Sequence, residues 1–415
     1  MTAAASLGRL LGRWREQHAS HVAPGRTIEV VDAELIRPGR PGLLDVVAEM
    51  DGRLAHAVFG IRRPGDELRV LGAVEEPALG TIDDGDGVGL VVDALHDPDT
   101  ARLLLGAVAG TSHGAEPGEV PVVSIVRDDE EATALVFDHR VTFTVFPWLS
   151  HGPHPGATLL AGLDEAGFNH LAAPIAFWRR AGRDLGVVQE VLAGASSGWA
   201  LAISSLRDVI ASGVSPDVAG GDFAAEAFAL GTMAARMHMA LDRAFGRRSG
   251  DVAAWVDDLA PDVGGTSTEE LLDILRGSGL HPPTIRTHGD FHLGRTARTD
   301  HGWVLADTMP GGTAPGSVEP VFRSPLADVA DFTWSLRHAA VVSVNERGPA
   351  STSTRAGDLA AAWEARNRRA FVAAYLATLG IGGLIPSDRR MVRRLLELFE
   401  LARATRRRGG AQVPR

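Results

Sequence analysis

The chain has 415 residues and a formal net charge of −11, with 45% apolar and 22% charged residues. This length exceeds one ordinary hydrophobic core, so two or three domains are expected. The acidic balance argues against binding to nucleic acid in general and to anionic membranes. Cysteine is absent, which excludes disulfides and thiolate metal sites. The chain also contains no lysine, so all 41 of its Lys and Arg residues are arginine.

No run of about 18 apolar residues appears, so no membrane span is predicted. The first residues also lack the basic region, apolar core and small-residue cleavage site of a secretory leader. A cytoplasmic location is therefore the expectation.

The first half of the chain predicts mostly strands. An amphipathic helix at residues 5–18 precedes them, because Leu7, Leu10, Leu11 and Trp14 recur at helical spacing. The other predicted elements of this half are strands around Val30 and at 46–50, 54–61, 121–126, 134–137, 140–146 and 187–192, and helices at 93–110 and 157–166.

From about residue 200 the pattern becomes mainly helical. Long amphipathic stretches cover residues 222–244 and 358–379. Ser387 is predicted to be the N-cap of the last helix, because a serine hydroxyl can accept a hydrogen bond from a free backbone N–H. Strands followed by helices favour an α+β fold over a parallel doubly wound sheet or an all-helical bundle.

The segment with the most chemical content is the HGDFH run at residues 288–292, which a hydrophobic strand ending at Asp307 follows. Asp307 lies 17 residues after Asp290. One aspartate in such a place can accept a proton from an alcohol, and a second can hold Mg²⁺ against the phosphates of a nucleotide. The segment therefore predicts a phosphotransferase site.

Two other interpretations of this segment remain open. In one, the histidines cap or bridge loops and the aspartates satisfy backbone donors. In the other, His288, Asp290 and His292 bind a metal ion, because alternation places them on one side of an extended segment. No further histidine-rich cluster with suitable spacing supports a metal site.

The stretch HGDFHLG, residues 288–294, resembles the catalytic loop of the actinobacterial maltokinases, which are aminoglycoside-phosphotransferase-like kinases. Similar segments are spread over nearly the whole chain. Residues 41–49 and 57–64 resemble the maltokinase N-terminal cap, and residues 188–191 and 198–199 resemble the inter-lobe hinge. Residues 324–330 resemble another family segment. A helix of the family is matched by Trp363, Arg366, Asn367 and Arg368.

The resemblance implies a bilobal kinase-like fold with an N-terminal cap subdomain, an antiparallel-sheet N-lobe and a mainly helical C-lobe. The cap would cover residues 1–118, and the rest of the N-lobe with the hinge strand would cover 119–198. Residues 199–415 would form the C-lobe with the HGDFH loop.

The same resemblance implies phosphorylation of a sugar with ATP and Mg²⁺, typically of maltose at its anomeric hydroxyl. Asp290 would be the base that faces the hydroxyl, with His288 and His292 beside it in the catalytic loop. Asp307 would be a ligand of Mg²⁺. The residues whose backbone would meet the adenine are Gln189, Glu190 and Val191.

Four positions depart from the family pattern. Thr144 aligns with a lysine that grips the phosphates, and Thr158 aligns with the glutamate that pairs with this lysine. A shifted alignment cannot restore the lysine, because the chain has none. Arg295 aligns with a Mg²⁺ ligand, and Met309 aligns with a second acidic residue. Since each charge-stabilising group typically contributes roughly two to three orders of magnitude to the rate, catalysis is predicted to be impaired.

Three functions fit this pattern. The first is an impaired maltokinase-like protein that binds or regulates, with a sugar, an α-glucan or an enzyme of trehalose or glycogen metabolism as its partner. Arg295 would then neutralise Asp290 or Asp307 and hold the site closed without a metal ion. The second is an active sugar kinase whose Arg295 contacts phosphate directly. The third is a structural module with a vestigial pocket.

Overall fold

The structure is a computed structural model that describes residues 3–18, 28–72, 78–83, 87–110, 122–263, 268–308, 322–346 and 354–406. The described residues divide into two compact units. The first unit takes residues up to Thr158 and Ala172–Ala193. The second takes the described parts of Leu159–Leu171, Gly194–Gly311 and Pro320–Arg415.

Antiparallel strands dominate the first unit. Its strands are β1 (Ile28–Arg37), β2 (Gly42–Met50), β3 (Arg53–Arg62), β4 (Ala78–Asp83), β5 (Val88–Asp93), β6 (Val123–Asp128), β7 (Thr133–Phe137), β8 (Val141–Val145), β9 (Trp148–Leu149), β10 (Pro174–Arg180) and β11 (Arg183–Glu190). Its helices are α1 (Ala3–His18) and α2 (Pro98–Ala109), and α3 (Pro155–Glu165) runs across the division of the chain.

These strands form two sheets. The first has the order β1-β2-β3-β5-β4, with β9 paired to β3, and the second has the order β10-β11-β8-β7-β6. Helix α1 buries Leu10, Leu11 and Trp14 against the apolar side chains of the first sheet. The apolar stripe that predicted this helix is therefore the face that it buries.

The helix predicted at 93–110 begins later than expected. Residues Val88–Asp93 form β5, and the side chain of Asp97 caps α2 by accepting a hydrogen bond from the Asp99 N–H at 3.2 Å. Pro98 is the first helical residue. A proline suits that position because its missing N–H would have no partner there, whereas its ring would clash inside a longer helix.

Helices dominate the second unit. They are α4 (Gly198–Ser212), α5 (Ala224–Phe245), α6 (Val252–Val263), α7 (Glu269–Arg276), α8 (Leu326–Asn345), α9 (Thr354–Ala377) and α10 (Arg389–Arg406). The short strands β12 (Ser196–Ser197), β15 (Thr296–Thr299) and β16 (Gly302–Leu305) form one sheet, and β13 (Arg247–Ser249), β14 (Pro283–Arg286) and β17 (Phe322–Arg323) form another. Within the ranges that the structure describes, no helix is long and apolar enough to cross a membrane.

A close helix contact organises the core of the second unit. A Cβ atom at Gly231 of α5 would lie 2.2 Å from the backbone oxygen of Phe371 of α9, so only glycine allows the two helices to approach this closely. The Phe371 ring stacks on Phe332 of α8 with centroids 4.1 Å apart, and Phe332 stacks on Phe291 at 5.3 Å. This aromatic column connects the core to the HGDFH loop.

The last helix starts one residue later than Ser387 predicted. Helix α10 begins at Arg389, and the Asp388 carboxylate accepts a hydrogen bond from the Arg390 N–H at 2.7 Å. Asp388 is therefore the capping residue, because its side chain satisfies a free donor of the first turn. The predicted N-cap at Ser387 is wrong by one position.

Candidate active site

The HGDFH loop follows β14 and is held by one carboxylate of α8. The two side-chain oxygens of Asp328 accept hydrogen bonds from the His288 N–H at 2.8 Å and the Gly289 N–H at 3.0 Å. Gly289 has φ of +88°, and a Cβ atom there would lie 3.0 Å from a guanidinium nitrogen of Arg323. The turn therefore requires both glycine and the buried Asp328.

A hydrogen-bond chain supports Asp328 from the core. His238 Nε2 lies 3.1 Å from Asp328, and His238 Nδ1 lies 2.8 Å from the Tyr375 hydroxyl. Because a carboxylate only accepts, His238 donates to Asp328 from Nε2. Burial works to raise the pKa of Asp328, but the hydrogen bond and charge of His238 outweigh it and hold the pKa below its ordinary value.

His288 is enclosed by its own loop and the end of the next hairpin. Its Nε2 donates to the backbone oxygen of Asp307 at 3.0 Å, and its Nδ1 accepts from the Asp290 N–H at 3.3 Å. Burial lowers the pKa of His288. Both ring nitrogens thus have backbone partners, so His288 does not join Asp290 and His292 as a metal ligand.

Asp290 has three cationic or titratable groups on its carboxylate. Arg403 of α10 donates to Oδ1 at 3.0 Å, and Arg295 donates to Oδ2 at 3.3 Å. His292 Nε2 also lies 3.3 Å from Oδ2. Burial works to raise the pKa of Asp290, but the hydrogen bond from His292 and the charges of His292, Arg295 and Arg403 hold the pKa well below its usual range.

Arg295 lies between the two aspartates of the site. The β15–β16 hairpin pairs Thr296 with Leu305, which brings Arg295 beside Asp307. One guanidinium nitrogen of Arg295 donates to Asp307, and another donates to Asp290. The carboxylates that the sequence assigned to proton transfer and to metal binding are therefore bridged by one side chain.

The arrangement does not fit a magnesium site. Mg²⁺ requires free oxygen ligands in a near-octahedral shell, and the Asp290 and Asp307 carboxylates already contact the Arg295 guanidinium. In the described part of the chain, no group of three or more His, Asp or Glu side chains is arranged to hold a metal ion.

A pocket of about 380 Å³ lies beside this network in the second unit, a size typical of small-molecule sites. Its polar wall includes Asp331, Arg323 and Arg403, and three aromatic rings line it elsewhere. Arg403 Nε lies 3.1 Å from Asp331 Oδ1, so Arg403 connects the pocket to Asp290. Burial raises the pKa of Asp331 to about 7. The aromatic rings belong to Trp255, Phe322 and Phe399.

The predicted adenine segment lies in the first unit, at the end of β11. The backbone N–H groups of Glu190 and Val191 donate to the carbonyls of Ala173 and Arg140 at 2.9 and 2.8 Å. The Gln189 side chain donates to Ala172 O at 3.1 Å. These donors already have partners within the unit, so an adenine contact at this segment stays a prediction.

The two threonines at the aligned ion-pair positions also lie in the first unit. Thr144 sits on β8, where it pairs with Val187 of β11 and Ala134 of β7. The Thr158 hydroxyl donates to the His154 carbonyl at 2.9 Å. Neither contact replaces the charge of a lysine or a glutamate. Met309, the fourth departure, lies outside the described residues.

No protein-family model matches the sequence. A glucosamine kinase from Streptacidiphilus jiangxiensis is 28% identical over 381 residues, which covers 82% of this chain and 81% of that protein. A solved glucosamine kinase in complex with glucosamine, ADP and inorganic phosphate is 22% identical, with a TM-score of 0.63 over 94% of this chain and 90% of the other. Crystal form A of a glucosamine kinase gives a TM-score of 0.64 at 22% identity, over 97% and 92% of the two chains. The chain has the fold of a glucosamine kinase.

This result confirms the predicted α+β, kinase-like fold. It also supports the predicted kinship at a coarser level than the maltokinases, since the similarity is to a sugar kinase for glucosamine. The assignment to maltokinases specifically stays a prediction, as does the division of the first half into a cap and the rest of an N-lobe.

Sequence reasoning missed five residues that shape the site. Asp328 lies in a segment that the resemblance marked without giving it a role, and Tyr375 lies in the amphipathic stretch at 358–379, which indicated only a helix. Nothing near His238, Asp331 or Arg403 in the sequence indicates the site, because these residues are distant from the HGDFH loop along the chain. Arg403 is 113 residues from Asp290.

Proposed function

We propose that this chain is a sugar-binding relative of the sugar kinases that has lost magnesium-dependent phosphoryl transfer. The observation that carries the proposal is the guanidinium of Arg295, which contacts both Asp290 and Asp307. A fixed positive charge of the chain thus occupies the place where a kinase needs a divalent cation.

The state of Asp290 supports the same proposal. A general base needs a carboxylate oxygen that faces the substrate hydroxyl. Here Oδ1 accepts from Arg403, and Oδ2 lies against Arg295 and His292. The depressed pKa of Asp290 also weakens it as a proton acceptor.

The class of ligand follows from the relatives and the pocket. The similar proteins are named glucosamine kinases, and one structure of them contains glucosamine, ADP and inorganic phosphate. The pocket beside Asp290 offers aromatic faces and polar side chains, the combination that sugar binding requires. We infer a monosaccharide as the ligand, with maltose or an α-glucan as the alternative from the maltokinase resemblance. A regulatory partner from trehalose or glycogen metabolism remains part of the proposal.

The test is a transfer assay beside a binding assay. The full chain is incubated with ATP, Mg²⁺ and glucosamine, glucose or maltose, and ADP release is followed while sugar binding is measured by calorimetry. We expect sugar binding without sugar-dependent ADP release. The family's lysine is replaced by Thr144 and its Mg²⁺ ligand by Arg295, and each lost group is typically worth roughly two to three orders of magnitude in rate. Sugar-dependent ADP release that Asp290→Asn abolishes would instead establish the second candidate, an active kinase with a rewired site.

A further inference from the structure

The pocket beside Asp290 has two arginines in its wall. Arg403 is fixed there by Asp290 at 3.0 Å and Asp331 at 3.1 Å. Its guanidinium also lies over the Trp334 ring, 5.7 Å from the ring centroid. A guanidinium carries five N–H donors, so these contacts leave Arg403 with further donors for a ligand.

Arg323 is the second arginine, and its guanidinium lies against Gly289 of the HGDFH loop. Its Nε is buried and has no hydrogen-bond partner within the described ranges. No carboxylate of the described residues forms an ion pair with it; Asp328 and Asp331 act on it only as neighbouring charges. A buried donor without a partner is costly unless a ligand supplies the acceptor.

The wall carries two guanidinium groups, of which that of Arg403 is paired with Asp290. Arg323 and Arg403 are always charged. Asp331 is the buried acid of the wall, and it is protonated in about half of the molecules where the pH equals its pKa of about 7. Asp258 also lines the pocket but is exposed to solvent, which screens its charge.

We propose that this pocket binds a phosphorylated monosaccharide, with Arg323 and Arg403 holding the phosphate and the aromatic rings contacting the sugar. Planar guanidinium groups match the oxygen geometry of phosphate. The rings of Trp255 and Phe399, 6.0 Å apart, give apolar surface that free phosphate does not need. A neutral sugar could accept hydrogen bonds from Arg323, but only an anionic group such as phosphate also neutralises its charge. The inference rests on the proposed function and names the ligand class of the same site.

The test is calorimetry on the full chain with glucosamine 6-phosphate, glucose 6-phosphate, the two parent sugars and inorganic phosphate. Each phosphorylated sugar is expected to bind at least about tenfold more tightly than its parent sugar and than inorganic phosphate. Rising salt should weaken the phosphorylated sugars and leave the parent sugars nearly unaffected.

Variants locate the phosphate. Arg323→Gln is expected to weaken binding of the phosphorylated sugars about tenfold or more. Arg323→Lys keeps the positive charge but lacks the planar guanidinium, so it should retain part of the affinity for the phosphorylated sugars. The matched control is Arg393→Gln, at an exposed position of α10 outside the pocket lining, which should bind as the unchanged chain does. Thermal unfolding of each variant, measured without ligand, identifies loss of fold.

The outcomes separate the two proposals. If parent sugars bind as tightly as their phosphates, or inorganic phosphate binds equally well, the phosphorylated ligand is wrong while sugar binding by an impaired kinase stands. If folded Arg323→Gln binds the phosphorylated sugars normally, the assignment of Arg323 is wrong. If no sugar or sugar phosphate binds, both proposals fail. Sugar-dependent ADP release would overturn the proposed function alone.

Discussion

Arg295 forms an ion pair with Asp307 across the base of the β15–β16 hairpin. The same guanidinium reaches Asp290, at 3.3 Å. Two carboxylates side by side would repel each other without a cation between them. The chain supplies this cation itself, and a kinase would obtain it from bound metal.

Replacing Arg295 should therefore create a metal dependence. In Arg295→Asn the two carboxylates lose their shared cation, so the metal-free variant should be less stable by roughly 1–3 kcal/mol. Mg²⁺ should recover stability in this variant, by about 2.7 kcal/mol at one hundred times its dissociation constant. The measurement is urea unfolding with and without Mg²⁺.

The control for this prediction is Arg298→Asn, on the same hairpin. Arg298 is more than a third exposed and lies 3.5 Å from Glu226, a weak pair at the surface. Its loss should change stability little and confer no response to Mg²⁺. An Arg295→Asn chain that is equally stable with and without Mg²⁺ would contradict the account.

Asp328 should be the most sensitive residue of the site for folding. Asp328→Ala leaves two loop N–H groups and buried His238 without an acceptor, which should cost about 3–5 kcal/mol in unfolding free energy. Denaturant unfolding measures this loss. The exposed Asp300→Asn, in the turn of the neighbouring hairpin, should change stability by less than about 0.5 kcal/mol. If Asp328→Ala costs no more stability than Asp300→Asn, the hydrogen bonds from the His288 and Gly289 N–H groups to Asp328 do not stabilise the fold.

Asp331 should make stability fall as the pH rises. Its folded pKa of about 7 lies above its ordinary value of 3.8, so the folded chain holds this proton more tightly than the unfolded chain. The stabilisation is complete below about pH 4 and is lost as the pH rises through 7. Burial, opposed by Arg403 and Arg323 and assisted by Asp328 and Asp290, produces this pKa.

The measurement is the difference in unfolding free energy between the unchanged chain and Asp331→Asn, which cannot titrate. Relative to this variant, the unchanged chain should lose up to roughly 4 kcal/mol between pH 4 and pH 8. The comparison cancels the titration of other groups, which both chains share. A difference that does not vary with pH would contradict a raised pKa at Asp331.

Tyr375 gives a direct spectroscopic test of the core behind the loop. It is the only tyrosine of the chain. Burial, with the charge of Asp328, raises the pKa of Tyr375 well above its ordinary value of 10. The absorbance of tyrosinate should therefore appear only when the chain unfolds. In denaturant the same residue should ionise near pH 10. Ionisation at that pH in a chain with unchanged circular dichroism would disprove the burial.

The fold could be predicted from the sequence where a periodic pattern of apolar residues continues over many residues. The amphipathic stretch at 222–244 corresponds to α5 at Ala224–Phe245. Short strands in the helical half, such as β14 and β17, were missed because two to four residues carry no measurable period. Strand β10 was also missed, although its turn to β11 has the positive φ values of 49° and 76° at Ala181 and Gly182 that suit a hairpin.

Of the candidate site, only the residues that lie close together in the sequence could be predicted. Asp290, His292, Arg295 and Asp307 lie within 18 residues of one another, and the structure brings all four together. Arg403 could not be predicted, because its contact with Asp290 depends on how α10 packs in the second unit. Tertiary packing leaves no local sequence pattern for such a pair.

We propose that Arg295 takes the place of the metal ion of a kinase. Calorimetric titration of the unchanged full chain with ATP, with and without Mg²⁺, tests it most directly, with Asp307→Ala titrated in parallel. We expect the affinity for ATP to be the same with and without Mg²⁺. We expect Asp307→Ala to have the affinity of the unchanged chain, also with and without Mg²⁺. ATP binding that Mg²⁺ strengthens about tenfold or more, and that Asp307→Ala abolishes, would show that Arg295 yields its place to a metal ion and would contradict the account.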